Sequence, residues 1–144
     1  MHSKQKGNLG FSAVIKELHK LNYNVFTELG DYSKIDMIVE KDGKLAKIQA
    51  KYLKQHNGFA TLNLQKSGPN GYRYIYTEND VDIFACYLPE LDKVIFIPSI
   101  LACKNKKTFT VRFQQSKNEQ KNGIHSLEEF LDLNSILQSY LKGS

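Results

Sequence analysis

The dipeptide Asp42-Gly43 restricts this chain more than any other feature. It sits between two runs of strand character, IDMIVE and KLAKIQAKYL. A tight two-residue turn needs positive φ at both central positions, which Asp and Gly tolerate, and its twist matches a pair of antiparallel strands. In the second run Ala46, Ile48, Ala50 and Tyr52 alternate with Lys47, Gln49 and Lys51. Successive side chains on a strand point to opposite faces, so the apolar set is expected on the core and Gln49 and Lys51 together on the other face. Asp36 opens the first run. An acid, an amide and a lysine are thereby carried on paired strands, either as a working cluster or as ordinary polar positions facing water.

The remaining elements follow from periodicity. Phe11, Val14, Leu18 and Leu21 recur at helical spacing, which predicts a helix over 9–22 with Asn8 as its N-cap. YNVFTEL (23–29) reads as a strand and GDYS (30–33) as a turn. FATLNLQ (59–65) is a further strand. The segment 66–80, KSGPNGYRYIYTEND, reads as a loop with basic and aromatic residues interleaved. VDIFACYL and KVIFIP are buried strands joined by PELD, and TFTVRF (108–113) is another strand. A polar loop is expected over 114–123. Ser126 with Glu129 forms a capping box opening a helix through LEEFLDL, and a short last helix follows from Ile136. An opening helix followed by strands indicates an α/β or α+β domain. No crossover helix is evident in the middle.

The 144 residues suit one domain, and no linker or repeat divides them. No apolar run is long enough to span a bilayer. The opening MHSKQKGNLG lacks the apolar segment of a secretory leader, so a cytoplasmic location is expected. Cys86 and Cys103 show no metal-ligand spacing and read as reduced thiols. His2, His19, His56 and His125 are scattered, which gives no zinc site or nucleophilic triad. The formal charge of +5 is compatible with a polyanionic partner.

The trio Asp36, Gln49 and Lys51 suits one chemistry. Phosphodiester cleavage requires a barrier reduction of more than ~20 kcal/mol, for which a divalent cation is the usual device. Magnesium takes hard oxygen ligands, and a neighbouring lysine can stabilise charge developing on phosphate.

Residues 6–98 resemble the PD-(D/E)xK nucleases of restriction-endonuclease fold. The features that carry the resemblance are KGNLG at the first helix, GDYSKIDMIVEKDGKLAKIQAKY as a catalytic hairpin, and DVDIFACYLPELDKVIFIP as the following strand pair. Within that group the chain is most similar to the small, group I intron-encoded homing endonucleases of this fold. The resemblance implies an α/β fold with an N-terminal helix on a central mixed sheet, and C-terminal helices over 99–144. It implies Asp36 as a metal-binding aspartate, Gln49 in the place of a second carboxylate, the Ala50 carbonyl as a further ligand, and Lys51 as the catalytic lysine. Mg2+ is the implied cofactor, with Mn2+ or Ca2+ able to occupy the same oxygens. Similar proteins commonly carry Glu where this chain has Phe11. Glu17 cannot replace it, since six residues at about 100° each turn a side chain roughly 120° away. Phe11 is then either simply core or the mark of an impaired copy, natural or engineered.

Double-stranded DNA is the implied partner. Lys4, Lys6, Lys51, Lys54, Lys66 and Arg73 are expected at phosphates, and Tyr72, Arg73, Tyr74 and Tyr76 at bases, unless the aromatics are ordinary strand alternation. Lys104, Lys106, Lys107 and Arg112 form a second basic group, for phosphate or solvent. One site per chain and double-strand cleavage imply a homo-oligomer. A long target favours a tetramer over a dimer. Leu131, Ile136, Leu137 and Tyr140 are either its contacts or a cap on the core. The alternatives are a nuclease of the Holliday junction resolvase type and a DNA-binding protein that kept the fold without the activity.

Overall fold

The computed structural model describes residues 1–104, 107–113 and 124–141, so Lys106 and the loop expected over 114–123 lie outside the described residues. Helix α1, Ser3–Lys20, starts six residues before the expected 9–22. Its cap is His2 rather than Asn8. The His2 ring Nδ1 accepts the Lys4 N–H (3.2 Å) and the Gln5 side-chain oxygen accepts the His2 N–H (3.0 Å). This added turn has no apolar stripe, so periodicity was silent there. Val14 and Leu18 are buried, with Phe11 and Leu21 half-buried beside them.

The central sheet has the order β1-β2-β3-β7-β8: Asn24–Thr27, Met37–Lys41, Lys44–Tyr52, Ile83–Leu88 and Lys93–Pro98. Strands β2 and β3 are joined at the expected turn, where Asp42 (φ 54°) and Gly43 (φ 82°) both adopt positive φ. β1 and β2, β2 and β3, and β7 and β8 pair antiparallel, while β3 and β7 run parallel. A parallel pair needs a long crossover. Here the connection is built from strands, which is why no crossover helix is legible between them.

The crossover contains β4 (Phe59–Asn63), β5 (Gln65–Ser67) and β6 (Arg73–Ile75). β4 is a strand as expected, but belongs to a second sheet with β9 (Thr108–Arg112) and β10 (His125–Ser126). The segment 66–80, read as a loop, instead contains most of a β5–β6 hairpin. Asn70 (φ 61°) and Gly71 (φ 74°) reverse the chain between its arms.

Strands β7 and β8 are buried at every position except Lys93, as their continuous apolar runs require. Burying each such Ile or Phe side chain stabilises the fold by about 1.5–3 kcal/mol. After β8 come a single turn, α2 (Ser99–Ala102), then β9, β10, a 3-10 turn over Leu127–Phe130, and α3 (Leu133–Tyr140). The capping-box interaction is present, with the Glu129 carboxylate accepting the Ser126 N–H at 2.7 Å. The helix expected through LEEFLDL stops early. Asp132 caps α3, its carboxylate accepting from the Ser135 hydroxyl (2.8 Å), so the helix begins at Leu133, three residues before the expected Ile136. Leu127, Phe130, Leu133 and Ile136 are buried against the core, Leu137 is half-buried, and Leu131 and Tyr140 are exposed. Among the described residues no helix is long and apolar enough to cross a membrane.

Candidate active site

Three elements meet at the C-terminal half of β3. Helix α1 crosses it at Gly10, where an added Cβ would lie 3.2 Å from Tyr52 Cβ and 3.3 Å from the Lys51 carbonyl oxygen. A side chain at position 10 would push helix and strand apart, so the second glycine of KGNLG sets how closely α1 approaches. Tyr52 points to the α1 side, and alternation sends Gln49 and Lys51 to the opposite face. That face is not open to water as a lone strand would suggest. In the parallel register Gln49 lies beside Phe84 and Lys51 beside Cys86, both fully buried. Gln49 is itself only 9% exposed, and Lys51 is half-buried.

Asp36 immediately precedes β2 and is tied to β3 twice. Its N–H donates to the Ile48 carbonyl (2.9 Å), and its Oδ2 accepts the Ala50 N–H (2.8 Å). Asp36, Gln49, Ala50 and Lys51 are therefore brought together, as the hairpin register demands. Burial is the strongest influence on the Asp36 carboxyl and holds its pKa above the ordinary value. The Ala50 N–H and the Lys51 and Lys66 ammonium groups pull it back, and Asp31 adds to the rise. Burial also lowers the Lys51 pKa; Lys66 acts in the same direction, Cys86 and Asp36 against it. The Cys86 thiol is pushed up to about 12 by burial, so it stays protonated and unreactive at neutral pH.

A cation fits the donor set. Gln49 Oε1 is a buried acceptor with no hydrogen-bond partner among the described residues. An orphaned buried acceptor costs about 1–3 kcal/mol unless something polar meets it. Hard oxygens are what Mg2+ takes, usually with one or two carboxylates and several waters. The described residues contain no cluster of three His, Cys, Asp or Glu side chains that could hold a metal. Asp36 is the carboxylate of the trio, and Phe11 is half-buried against the core.

The β5–β6 hairpin supplies what sequence reasoning missed. Lys66 lies directly opposite Tyr74 in its register, and its charge is felt at both Asp36 and Lys51. Lys66 is thus part of the trio's surroundings as well as an exposed cation. Tyr76, expected among the base contacts, is instead buried one residue past β6 (1% exposed), and the Lys51 Nζ stands over its ring, 5.1 Å from the centroid. Lys34 pairs with Asp80 (3.2 Å) and lies over the Tyr74 ring (4.2 Å). A period-two reading of Tyr74 and Tyr76 against Arg73 and Ile75 carried this signal. Tyr74 and Tyr76 turn inward, while Arg73 and Ile75 are exposed.

The other predicted cations are spread more widely. Lys4 is exposed and Lys6 half-buried on the first turns of α1, rather than in a segment preceding it. Lys54 is exposed just past β3. Tyr72 is exposed in the β5–β6 connection, and Arg73 follows it on β6. Lys104 and Lys107 are exposed, and Arg112 is half-buried with Nε lacking a partner among the described residues.

The sequence model of the PD-(D/E)XK endonuclease family matches residues 1–133. Among solved structures, the bacterial homing endonuclease I-Ssp6803I superposes with a TM-score of 0.73 over 99% of this chain and 98% of its own, at 19% identity. No curated protein sequence matches the chain.

Proposed function

The chain belongs to the PD-(D/E)XK endonuclease family, and from that premise we propose that it is a metal-dependent, sequence-specific DNA endonuclease of the intron-encoded homing type. One observation carries the reading. The orphaned, buried Gln49 Oε1 lies in the same hairpin as the Asp36 carboxylate and the half-buried Lys51. Polar groups that merely face water are neither buried nor orphaned.

Asp36, Gln49 and the Ala50 carbonyl would hold the cation, Mg2+ by preference, with Mn2+ and Ca2+ suited to the same oxygens. When bound, the ion supplies Lewis acidity toward the phosphate and its attacking water. The Ala50 N–H fixes the Asp36 carboxylate in one orientation. Lys51 faces the position of the scissile phosphate and stabilises the negative charge that develops there. Partial burial strengthens that interaction, because little water competes for the ammonium. Gln49 is a neutral amide in a carboxylate's place, so the site has one negative charge fewer and binds its cation weakly.

DNA lies across the same face. Lys66, Arg73 and Tyr72 meet it from the β5–β6 hairpin, and Lys4, Lys6 and Lys54 meet the flanking phosphates, while the inward-turned Tyr74 supports the hairpin rather than touching a base. A homo-oligomer presents two such sites for a double-strand break, and a tetramer reaches a longer target than a dimer. The setting is the DNA inside a cell.

Phe11 favours a second reading, a DNA-binding protein of this fold with impaired catalysis, because it contributes apolar packing where similar proteins commonly have Glu. A duplex recovered by selection from a randomised library separates the two. Cleavage with Mg2+ that is lost in Asp36→Ala supports the nuclease. Tight binding without cleavage in Mg2+ or Mn2+ supports the impaired protein, and parental cleavage by Asp36→Ala overturns the site.

A further inference from the structure

Tyr76 is fixed by both backbone and ring contacts. Its backbone N–H donates to the Leu64 carbonyl (2.8 Å). Its ring meets Phe84 edge-on (5.5 Å between centroids, 89°) and Tyr74 at 5.8 Å and 66°. Phe84 is in turn the register partner of Gln49. The ring is thus clamped on the face of the sheet that carries Gln49 and Lys51, and the Lys51 Nζ stands over it. A lysine side chain has four rotatable bonds and ordinarily wanders. An ammonium over an aromatic face within about 6 Å of the centroid is held by the ring quadrupole, more strongly where water is scarce.

The hydroxyl takes no part in that contact. It is buried and has no hydrogen-bond partner among the described residues. Burial raises its pKa, and the nearby Tyr74 hydroxyl raises it further without meeting hydrogen-bond geometry. Phe would fill this space without orphaning an oxygen. The other orphaned side-chain oxygen among the described residues is Gln49 Oε1, in the proposed cation site.

The geometry points to Tyr76 as a positioning residue whose ring holds the Lys51 ammonium where a scissile phosphate develops charge. The inference rests on the nuclease reading, and adds to it a residue from outside the β2–β3 hairpin. Tyr76 touches neither DNA nor cation. It acts through Lys51.

The test combines a signal independent of activity with a rate. Lysines are reductively methylated with 13C, which keeps their charge, and Lys51 is assigned by Lys51→Arg. The parent and Tyr76→Phe are expected to show an upfield ring-current shift of the Lys51 methyl resonance, and Tyr76→Leu to lose it. Single-turnover cleavage, in Mn2+ and by unmethylated protein, of supercoiled plasmid carrying the selected duplex is expected to fall about tenfold in Tyr76→Leu and to stay within about threefold in Tyr76→Phe. Plasmid affinity measured in Ca2+ is expected within about twofold for both, a split between rate and binding that a general packing defect would not produce. Melting curves accompany each variant, and Tyr76→Met replaces Tyr76→Leu if the latter does not fold. No upfield shift in the parent, or equal rates in parent and Tyr76→Leu, overturns the assignment. A shifted resonance in a parent protein that leaves plasmid uncut overturns the nuclease reading instead, and reduces the contact to packing.

Discussion

Two hairpins flank the candidate site, and they are built differently. The β2–β3 hairpin closes on a two-residue turn, and its second strand runs nine residues through the middle of the sheet. Gln49 and Lys51 sit on backbone paired with β7, and Asp36 is tied to β3 by two hydrogen bonds. The β5–β6 hairpin has arms of three residues in a two-stranded sheet of its own. Arg73 and Ile75 face outward and Tyr74 inward. A rigid, half-buried pair suits chemistry that tolerates little displacement, whereas a short ribbon suits contact with a large partner. Under the proposed function, substitutions in the first hairpin should change rate and leave binding, while those in the second should change binding and leave rate.

The largest expected effect tests the first half of that contrast. Asp36→Ala should slow cleavage by on the order of 10³ or more, while affinity for the selected duplex stays level or rises, since a negative charge near phosphate is removed. Single-turnover kinetics and a binding isotherm in Ca2+ measure the two. A loss of affinity comparable to the loss of rate would break the contrast. Lys51→Ala comes next, at about 10²–10³ in single-turnover rate, because one fixed donor to developing charge is lost. A rate within threefold of the parent would make Lys51 an ordinary phosphate-contacting lysine.

Phe11→Glu sharpens the comparison from a third element, α1. A second carboxylate near the hairpin should lower the Mg2+ concentration for half-maximal rate, by a few-fold. A titration of rate against Mg2+ reads this, with a melting curve beside it because the ring packs on the core. An unchanged or weaker Mg2+ dependence in a folded variant would mean that position 11 is only packing.

The smallest effect belongs to the second hairpin. Arg73→Ala should leave the rate at saturating protein unchanged. Its slope of log affinity against log salt should be shallower by about 1, with cognate and random duplexes weakened alike, if the guanidinium meets a phosphate. A bidentate contact to guanine would instead cost about 1–3 kcal/mol on the cognate duplex alone. Unchanged affinity and slope would remove β6 from the DNA surface.

Much of this arrangement is written in local pattern. The Asp-Gly turn, the alternation through β3, the apolar runs of β7 and β8, and the Ser126–Glu129 cap each depend on residues within a few positions of one another. The family model, which covers residues 1–133, agrees with the resemblance read from KGNLG, the hairpin and the strand pair. Other features failed for stated reasons. The first turns of α1 have a cap but no apolar stripe. The strands of the crossover are short, and β5 and β6 pair only with each other. Asp132 restarts a helix that the apolar pattern alone would have carried through.

The sequence by itself determined the register that brings Asp36 to Gln49 and Lys51, because a tight turn and a period of two leave no other pairing, whereas its choice between α/β and α+β came only through the family resemblance. Tertiary structure decided how those residues behave. Gln49 is buried rather than wet because β7 runs beside it in parallel, 35 residues distant at Phe84. Lys51 stands over Tyr76, and Lys66 bears on Asp36, because the crossover folds back over that face. Burial and electrostatic neighbours arise from contacts between distant segments, and local periodicity contains no term for them.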